Sequence, residues 1–128
     1  MFKSLELFQT AHAMAFHAGQ RQAVIATNIA NADTPGYRAR DIASFSDSYR
    51  AAGPNAMRAS RPGHLHGAPD GADLVSFTID SNDSSPNGNS VSIEAELLKG
   101  VEVQRQHEKA IAIYRSGLNI LRSSLGRR

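Results

Sequence analysis

Ile111, Tyr114, Leu118, Leu121 and Leu125 follow one another at intervals of 3, 4, 3 and 4 residues near the C-terminus. A strand repeats its faces every second residue. Only a helix brings this spacing to one side, and the alternation is the a/d seam of a coiled coil. A second stripe, Ala110, Ile113, Gly117 and Ile120, runs beside it. Two adjoining stripes make a face wider than one partner helix needs, so the pattern predicts a bundle with several neighbours. Traced backwards, the seam passes the less apolar His107, Gln104 and Gly100 and regains apolar character at Val101 and Leu97. Ser92 suits an N-cap, and Glu94 and Glu96 place negative charge in the first turn.

The other end has the same character. Residues 3–32 contain no proline and a single glycine, Gly19. Leu7, Ala11, Met14, Ala18, Ile25 and Ile29 lie along one side, with Leu5, Phe8, Ala15, Gly19 and Ala26 on a neighbouring stripe. Because the large residues fall on more than one face, a single hairpin leaves part of this helix uncovered, and its burial is to be completed on assembly. Between the two ends, residues 35–91 hold all five prolines and six of the ten glycines. The one strand signal there is the alternation in Leu74-Val-Ser-Phe-Thr-Ile79, flanked by turn-rich Gly67-Ala-Pro-Asp-Gly71 and the run 80–88. The predicted architecture is mainly α. A terminal helix over 1–34 and another over 92–128 pair in a coiled-coil-like bundle and bracket an irregular insert, 35–91, with at most a short β element.

Composition narrows the function classes. A chain of 128 residues makes one small domain, and aromatics at 6% put the core on Leu, Ile, Val and Ala. A net charge of +2 is small and its basic residues are scattered, which argues against nucleic-acid binding, although a basic helical nucleic-acid module is the competing class. No cysteine is present, so neither disulfides nor thiol chemistry arise. No apolar run reaches the length needed to span a bilayer, and the opening Met1-Phe-Lys-Ser-Leu-Glu-Leu-Phe8 is unlike a signal peptide. By sorting rules alone that reads as cytoplasmic. His64 and His66 share a strand face but lack further ligands, so no metal is expected. His12, His17 and the pair His107–Glu108 have no catalytic partners, and no phosphate loop, nucleophile elbow or carboxylate pair occurs. Neither enzymatic chemistry nor a cofactor is expected.

One stretch is too particular to be filler: Ala26-Thr-Asn-Ile-Ala-Asn-Ala-Asp-Thr-Pro-Gly-Tyr37. Asn28 and Asn31 lie one helical turn apart and share a side. Thr34 is pushed out of helix by the following Pro35. Pro35 presets the first corner of a type II turn, and Gly36 accepts the positive φ of the second. The stretch reads as an abrupt helix stop with its polar groups aimed one way, either satisfying themselves or forming a recognition surface.

With Arg38-Ala-Arg-Asp-Ile-Ala-Ser-Phe45 after it, this stretch closely resembles the A-x-N-I-A-N-x-x-T-P-G-Y signature of bacterial flagellar rod and hook proteins. The continuation is similar to the Y-K-A-R-D-I-x-F of its proximal rod members. Gly88-Asn-Ser-Val91 resembles their G-N-T-V, and residues 114–126 resemble their closing Y-x-x-x-L-x-x-L-x-x-x-L-x-G. The chain departs from the pattern at Ser44 and Ser92, where an acidic residue is usual. The resemblance implies a structural subunit of the proximal rod that assembles helically through its terminal helices, joins the export gate and membrane-ring base to the distal rod, and transmits torque. Another proximal rod protein is the alternative within the family. The resemblance also implies export by the flagellar type III apparatus without a cleaved signal peptide, to the periplasmic basal body. Partners would be other rod proteins, the membrane-ring adaptor, the export gate and further copies of itself. Asn28, Ile29, Asn31, Thr34, Pro35, Gly36 and Tyr37 are then expected to form a turn at a subunit interface. Leu97, Val101, Ile111, Tyr114, Leu118, Leu121 and Leu125 are expected to form a helix-packing seam.

Overall fold

The computed structural model describes residues 2–52, 77–79 and 86–126. The element order is α1 (Phe2–Ala30), β1 (Arg40–Ile42), α2 (Phe45–Ala52), β2 (Phe77–Ile79) and α3 (Ile93–Leu125). The mainly helical architecture matches the expectation from spacing, with the two long helices packed against each other. At 29 and 33 residues, they are about 43 and 50 Å long at a rise of about 1.5 Å per residue. Ser92 caps α3 as expected: its Oγ accepts from the Ala95 N–H at 3.4 Å. Glu94 and Glu96 follow in the first turn.

The core between the helices is narrow. From α1 come Ala11, Ala18 and Ile25, and Asn28 continues the same line. From α3 come Glu96, Val103, Ala110 and Gly117, each seven residues from the next. Lys99, Gln106 and Ile113 fall between them and are half-buried. Both inward lines thus keep coiled-coil spacing. Small residues let the axes approach closely. At Gly117 a Cβ would stand 3.0 Å from the Phe8 ring, which stacks edge-on against Tyr114 at 5.2 Å. Ile29 packs at the edge of the cluster formed by Ala18, Ile25 and Val103.

The line that α3 turns towards α1 is therefore offset by one residue from the apolar seam read in the sequence. Leu97, Val101, Tyr114, Leu121 and Leu125 stay exposed, from 36% at Leu121 to 80% at Leu125, and Ile111 and Leu118 are half-buried. Hydrophobicity alone pointed to that richer line. The inward line sets the small Gly117 against Phe8 of α1, and its polar members Glu96 and Lys99 meet Asn28 and Asp41 at the other end.

The described residues of the insert hold more regular structure than its proline and glycine content indicates. β1 pairs antiparallel with β2 in the register Arg40↔Ile79, Asp41↔Thr78 and Ile42↔Phe77. The strand expected over 74–79 is observed at Phe77–Ile79, while its residues 74–76, along with His64, His66 and the flanking turn regions 67–71 and 80–85, lie outside the described residues. α2 was not anticipated. Ser44 caps it: its Oγ accepts from the Asp47 N–H at 3.3 Å and donates to Asp47 Oδ2 at 2.6 Å. The Ser-x-x-Asp spacing is that of a capping box, but here the Asp47 carboxylate accepts from the Ser44 hydroxyl and not from its backbone N–H. Phe45 anchors α2 through an edge-on contact with the His17 ring at 5.6 Å.

Candidate functional site

The singled-out stretch ends α1 in a dense polar joint. Thr34, Pro35 and Gly36 make the predicted turn: the Tyr37 N–H bonds Thr34 O at 3.3 Å, and Gly36 takes φ +71°. The segment 87–91 lies directly against it. Gly36 N–H donates to Asn87 O at 3.1 Å, and Ser90 N–H donates to Tyr37 O at 3.1 Å. Ala39 N–H donates to Ser90 Oγ at 2.9 Å. Gly88 also has positive φ, and a Cβ there would meet Gly36 Cα at 3.4 Å. Two glycines in contact let the two turns touch backbone to backbone.

The end of α1 has no basic side chain in its last turn to meet its free carbonyls. The Asn31 and Ala32 N–H groups meet Thr27 O, Asn28 O and Ile29 O, and the carbonyls of the turn just past α1 are met by a residue from up to 58 positions away. The buried Asn89 amide donates to Asn31 O, Ala32 O and Thr34 O at 3.0, 2.7 and 2.9 Å. Its Oδ1 accepts from the Val91 N–H at 2.8 Å. Asn89 thus fastens the start of the α3 approach to the end of α1.

Asn28 and Asn31 share a side of α1 but do different work. Asn31 is local: its amide donates to Thr27 O at 2.8 Å, and its Oδ1 accepts from Thr34 Oγ at 3.3 Å. Asn28 is fully buried and uses its whole hydrogen-bonding capacity. Its amide donates to Arg40 O at 2.6 Å and to Glu96 Oε2 at 3.0 Å. Its Oδ1 accepts from the Arg40 N–H at 3.1 Å and from the Tyr37 hydroxyl at 3.2 Å. The side chain mimics a strand partner for Arg40 and links α1, β1 and α3 at one atom group. Its polar atoms are engaged inside its own chain. Thr34, Pro35 and Gly36, by contrast, are exposed.

A charge network extends the joint. Glu96, 2% exposed, receives Lys99 Nζ at 3.0 Å on its other oxygen. Lys99 also lies 3.4 Å from Asp41 Oδ2. Arg21 grips the same carboxylate with both oxygens, Nε to Oδ1 at 3.0 Å and Nη2 to Oδ2 at 3.3 Å. Along these contacts two cations and two anions alternate, so each charge has an opposite one beside it. Burial pushes the Asp41 carboxyl up. The Arg21 hydrogen bonds, the Ile42 N–H and the charges of Arg21 and Lys99 outweigh this and hold it below its ordinary value. The Asp41 bond raises Arg21 in turn, against its own burial. Such a network stabilises little over a hydrophobic replacement, but breaking it from one side costs several kcal/mol, on the order of 3–5. It selects one arrangement of the helices.

The α2 joint has a different character. His17 is fully buried, and its Nε2 lies 2.9 Å from Ala43 O, so that nitrogen carries the proton. Its Nδ1 and the nearby-element Ser48 Oγ have no hydrogen-bond partner. Burial lowers the proton affinity of His17; the Ala43 carbonyl opposes this and the Arg21 charge adds to it. Sequence reasoning named His17 and Glu96 without finding their partners, and met Asp41 and Asn89 only inside the family-like motifs. The Ser44-x-x-Asp47 spacing was a legible signal for α2. The partners of Asn89 and Glu96 lie too far along the chain for any local pattern to reveal them.

Among the described residues no three His, Cys, Asp or Glu side chains converge as a metal site would need. No described helix is long and apolar enough to cross a membrane. What the geometry does provide is a helical hairpin, tied at one end by polar contacts, with apolar side chains of α3 exposed among the described residues. That defines a structural assembly subunit. Residues 17–38, which span the α1 end and its turn, match the model of the flagella basal body rod protein family. The chain is 32% identical to the flagellar basal body rod protein FlgB of Agrobacterium fabrum, over 88% of this chain and 87% of the relative. A shorter match, 83% identical across 23 residues, links it to FlgB of Escherichia coli; it covers 18% of this chain and 17% of that protein. The corresponding protein of Salmonella typhimurium matches over 23 residues at 78%. The chain belongs to the FlgB family of flagellar basal body rod proteins, structural subunits of the proximal rod.

Proposed function

We propose that this chain self-associates in the rod through its terminal helices and carries torque from the membrane-ring and export-gate base to the more distal rod. The support is the apolar α3 line that its own α1 leaves uncovered: Leu97, Val101, Tyr114, Leu121 and Leu125. Exposed apolar surface of this extent marks an interaction site. In this reading those residues, with Ile111 and Leu118, pack against neighbouring subunits. The exposed turn Thr34-Pro35-Gly36 meets the next subunit, while Asn28, Ile29, Asn31 and Tyr37 hold that turn in shape from behind. The parts divide as 1–34, 35–91 and 92–128, with the described residues of the middle part packed against α1. The site of action is the periplasmic basal body, reached by type III export without a cleaved signal peptide. The membrane-ring adaptor and export gate are the further partners. Homology to structural proteins and a site made of buried, saturated hydrogen bonds both favour a protein without catalysis.

Isolated basal bodies from cells carrying an epitope-tagged chain test this. Label at the base of the rod, together with loss of the proximal rod on deletion, is the expected result. Complete rods in the deletion strain would refute it.

A further inference from the structure

Asn87 is the one asparagine of the chain's seven that is followed by glycine. An asparagine carboxamide can be attacked by the backbone nitrogen of the next residue, and a glycine there, with no Cβ, leaves that nitrogen open. Asn87 is exposed and lies in a turn outside the helices. Its Oδ1 accepts from the Asn89 N–H at 3.1 Å. The ring this bond closes contains both Asn87 Cγ and the Gly88 nitrogen, so the carboxamide is folded back beside its attacker. The bond also draws electrons from Cγ, which favours attack.

The other asparagines differ. Asn28 and Asn89 are buried, and their amides are bound to Arg40 O and Glu96 and to the turn carbonyls. The Asn31 amide is held by Thr27 O. Asn119 lies inside α3 before the β-branched Ile120, which crowds the nitrogen. Asn55 and Asn82 precede Ala56 and Asp83 and lie outside the described residues.

We propose that Asn87–Gly88 is a site of spontaneous deamidation, and that its isoaspartyl product unfastens the joint while its aspartyl product leaves it closed. The Gly88 nitrogen gives up its proton and bonds to Asn87 Cγ. The Cγ–Nδ2 bond breaks, and Nδ2 leaves with a proton as ammonia. Water then opens the resulting succinimide at either carbonyl. In sum, one water enters and one ammonia leaves. Opening at Cγ gives aspartate with its backbone intact, and Oδ1 still accepts from Asn89. Opening at the backbone carbonyl routes the chain through Cβ and Cγ. That adds one carbon, about 1.5 Å of path, and turns the carbonyl that receives the Gly36 N–H at 3.1 Å into a side carboxylate. Asn89 must reach three carbonyls at 2.7 to 3.0 Å, and Gly88 lies against Gly36. Hydrogen bonds tolerate only a few tenths of an ångström of misplacement, so the clasp does not survive the extra carbon.

The purified full chain is warmed at mildly alkaline pH, and peptide mapping by mass spectrometry follows conversion of amide to acid at every asparagine. Conversion at Asn87 first is expected; conversion elsewhere first, or none at Asn87, overturns the proposal. Labelling with an isoaspartyl methyltransferase identifies the isoaspartyl fraction, which is then separated. Amide hydrogen exchange reads the Gly36 and Ser90 N–H groups, whose bonds cross the joint. Both should exchange faster in that fraction and at the parental rate in Asn87→Asp. Parental exchange in the isoaspartyl fraction, or equally fast exchange in Asn87→Asp, refutes the assignment of the two products.

Discussion

Asn28→Asp changes one NH₂ group to an oxygen and nothing else in shape. In the native joint that nitrogen stands 2.6 Å from Arg40 O and 3.0 Å from Glu96 Oε2. Both neighbours are acceptors, and the site is fully buried. An ionised aspartate there faces two oxygens, one charged, and leaves an uncompensated buried charge; that costs on the order of 3–5 kcal/mol. The carboxyl can instead take a proton and donate to Glu96. Each pH unit between its ordinary value of about 3.9 and pH 7 then costs about 1.4 kcal/mol, about 4 kcal/mol in all. The two routes agree, and the loss is a large share of the roughly 5–15 kcal/mol that holds a domain together. The second route has its own signature. A carboxyl whose folded pKa is raised contributes stability at low pH and loses it as pH rises, so the deficit of the variant should shrink to about 1.5 kcal/mol near pH 5. Urea unfolding of the full chain, followed by far-ultraviolet circular dichroism at pH 7 and pH 5, reads both numbers. A variant within about 0.5 kcal/mol of the parent at pH 7, or a deficit that does not change with pH, would refute the saturated-amide account.

Acid should weaken the parent chain in two stages. Below 6.5, the ordinary value of histidine, the unfolded chain binds a proton that the buried His17 refuses, so stability falls with pH; His17→Gln should remove that stage from the pH–stability curve. The contribution of Asp41 is complete above its ordinary 3.8 and disappears as pH falls through its lower folded value, and Asp41→Asn should flatten that second stage. Gly36→Val forces a β-branched residue to φ +71°, at a cost of roughly 1–2 kcal/mol; a lowered denaturation midpoint and reduced rod incorporation are expected, and normal rods would remove the turn argument. Leu118→Asp places a charge in the apolar α3 line, so swimming in soft agar should be lost; a motile strain would count against that line as a packing surface.

The long helices were legible because each has many residues, and period and capping repeat the same message over several turns. Ser92 and the turn at Pro35-Gly36 were legible because their geometry depends on the residues themselves. α2 was readable only through Ser44 and Asp47, and β1, with three residues, is too short for any period to emerge. The joint was beyond reach. Asn28 and Glu96 are 68 positions apart, and Asn89 binds carbonyls of the turn after α1 from 55 to 58 positions away.

The amino-acid order by itself determined where the chain is helical, where it must turn, and that its helices carry more apolar lines than one hairpin can cover. Those properties arise from neighbours a few residues apart. Which line of α3 faces inward was decided only in three dimensions. With that line turned in, Glu96 and Lys99 meet Asn28 of α1 and Asp41 of β1, and the small Gly117 lets the helices approach closely. The richer apolar line is left on the outside.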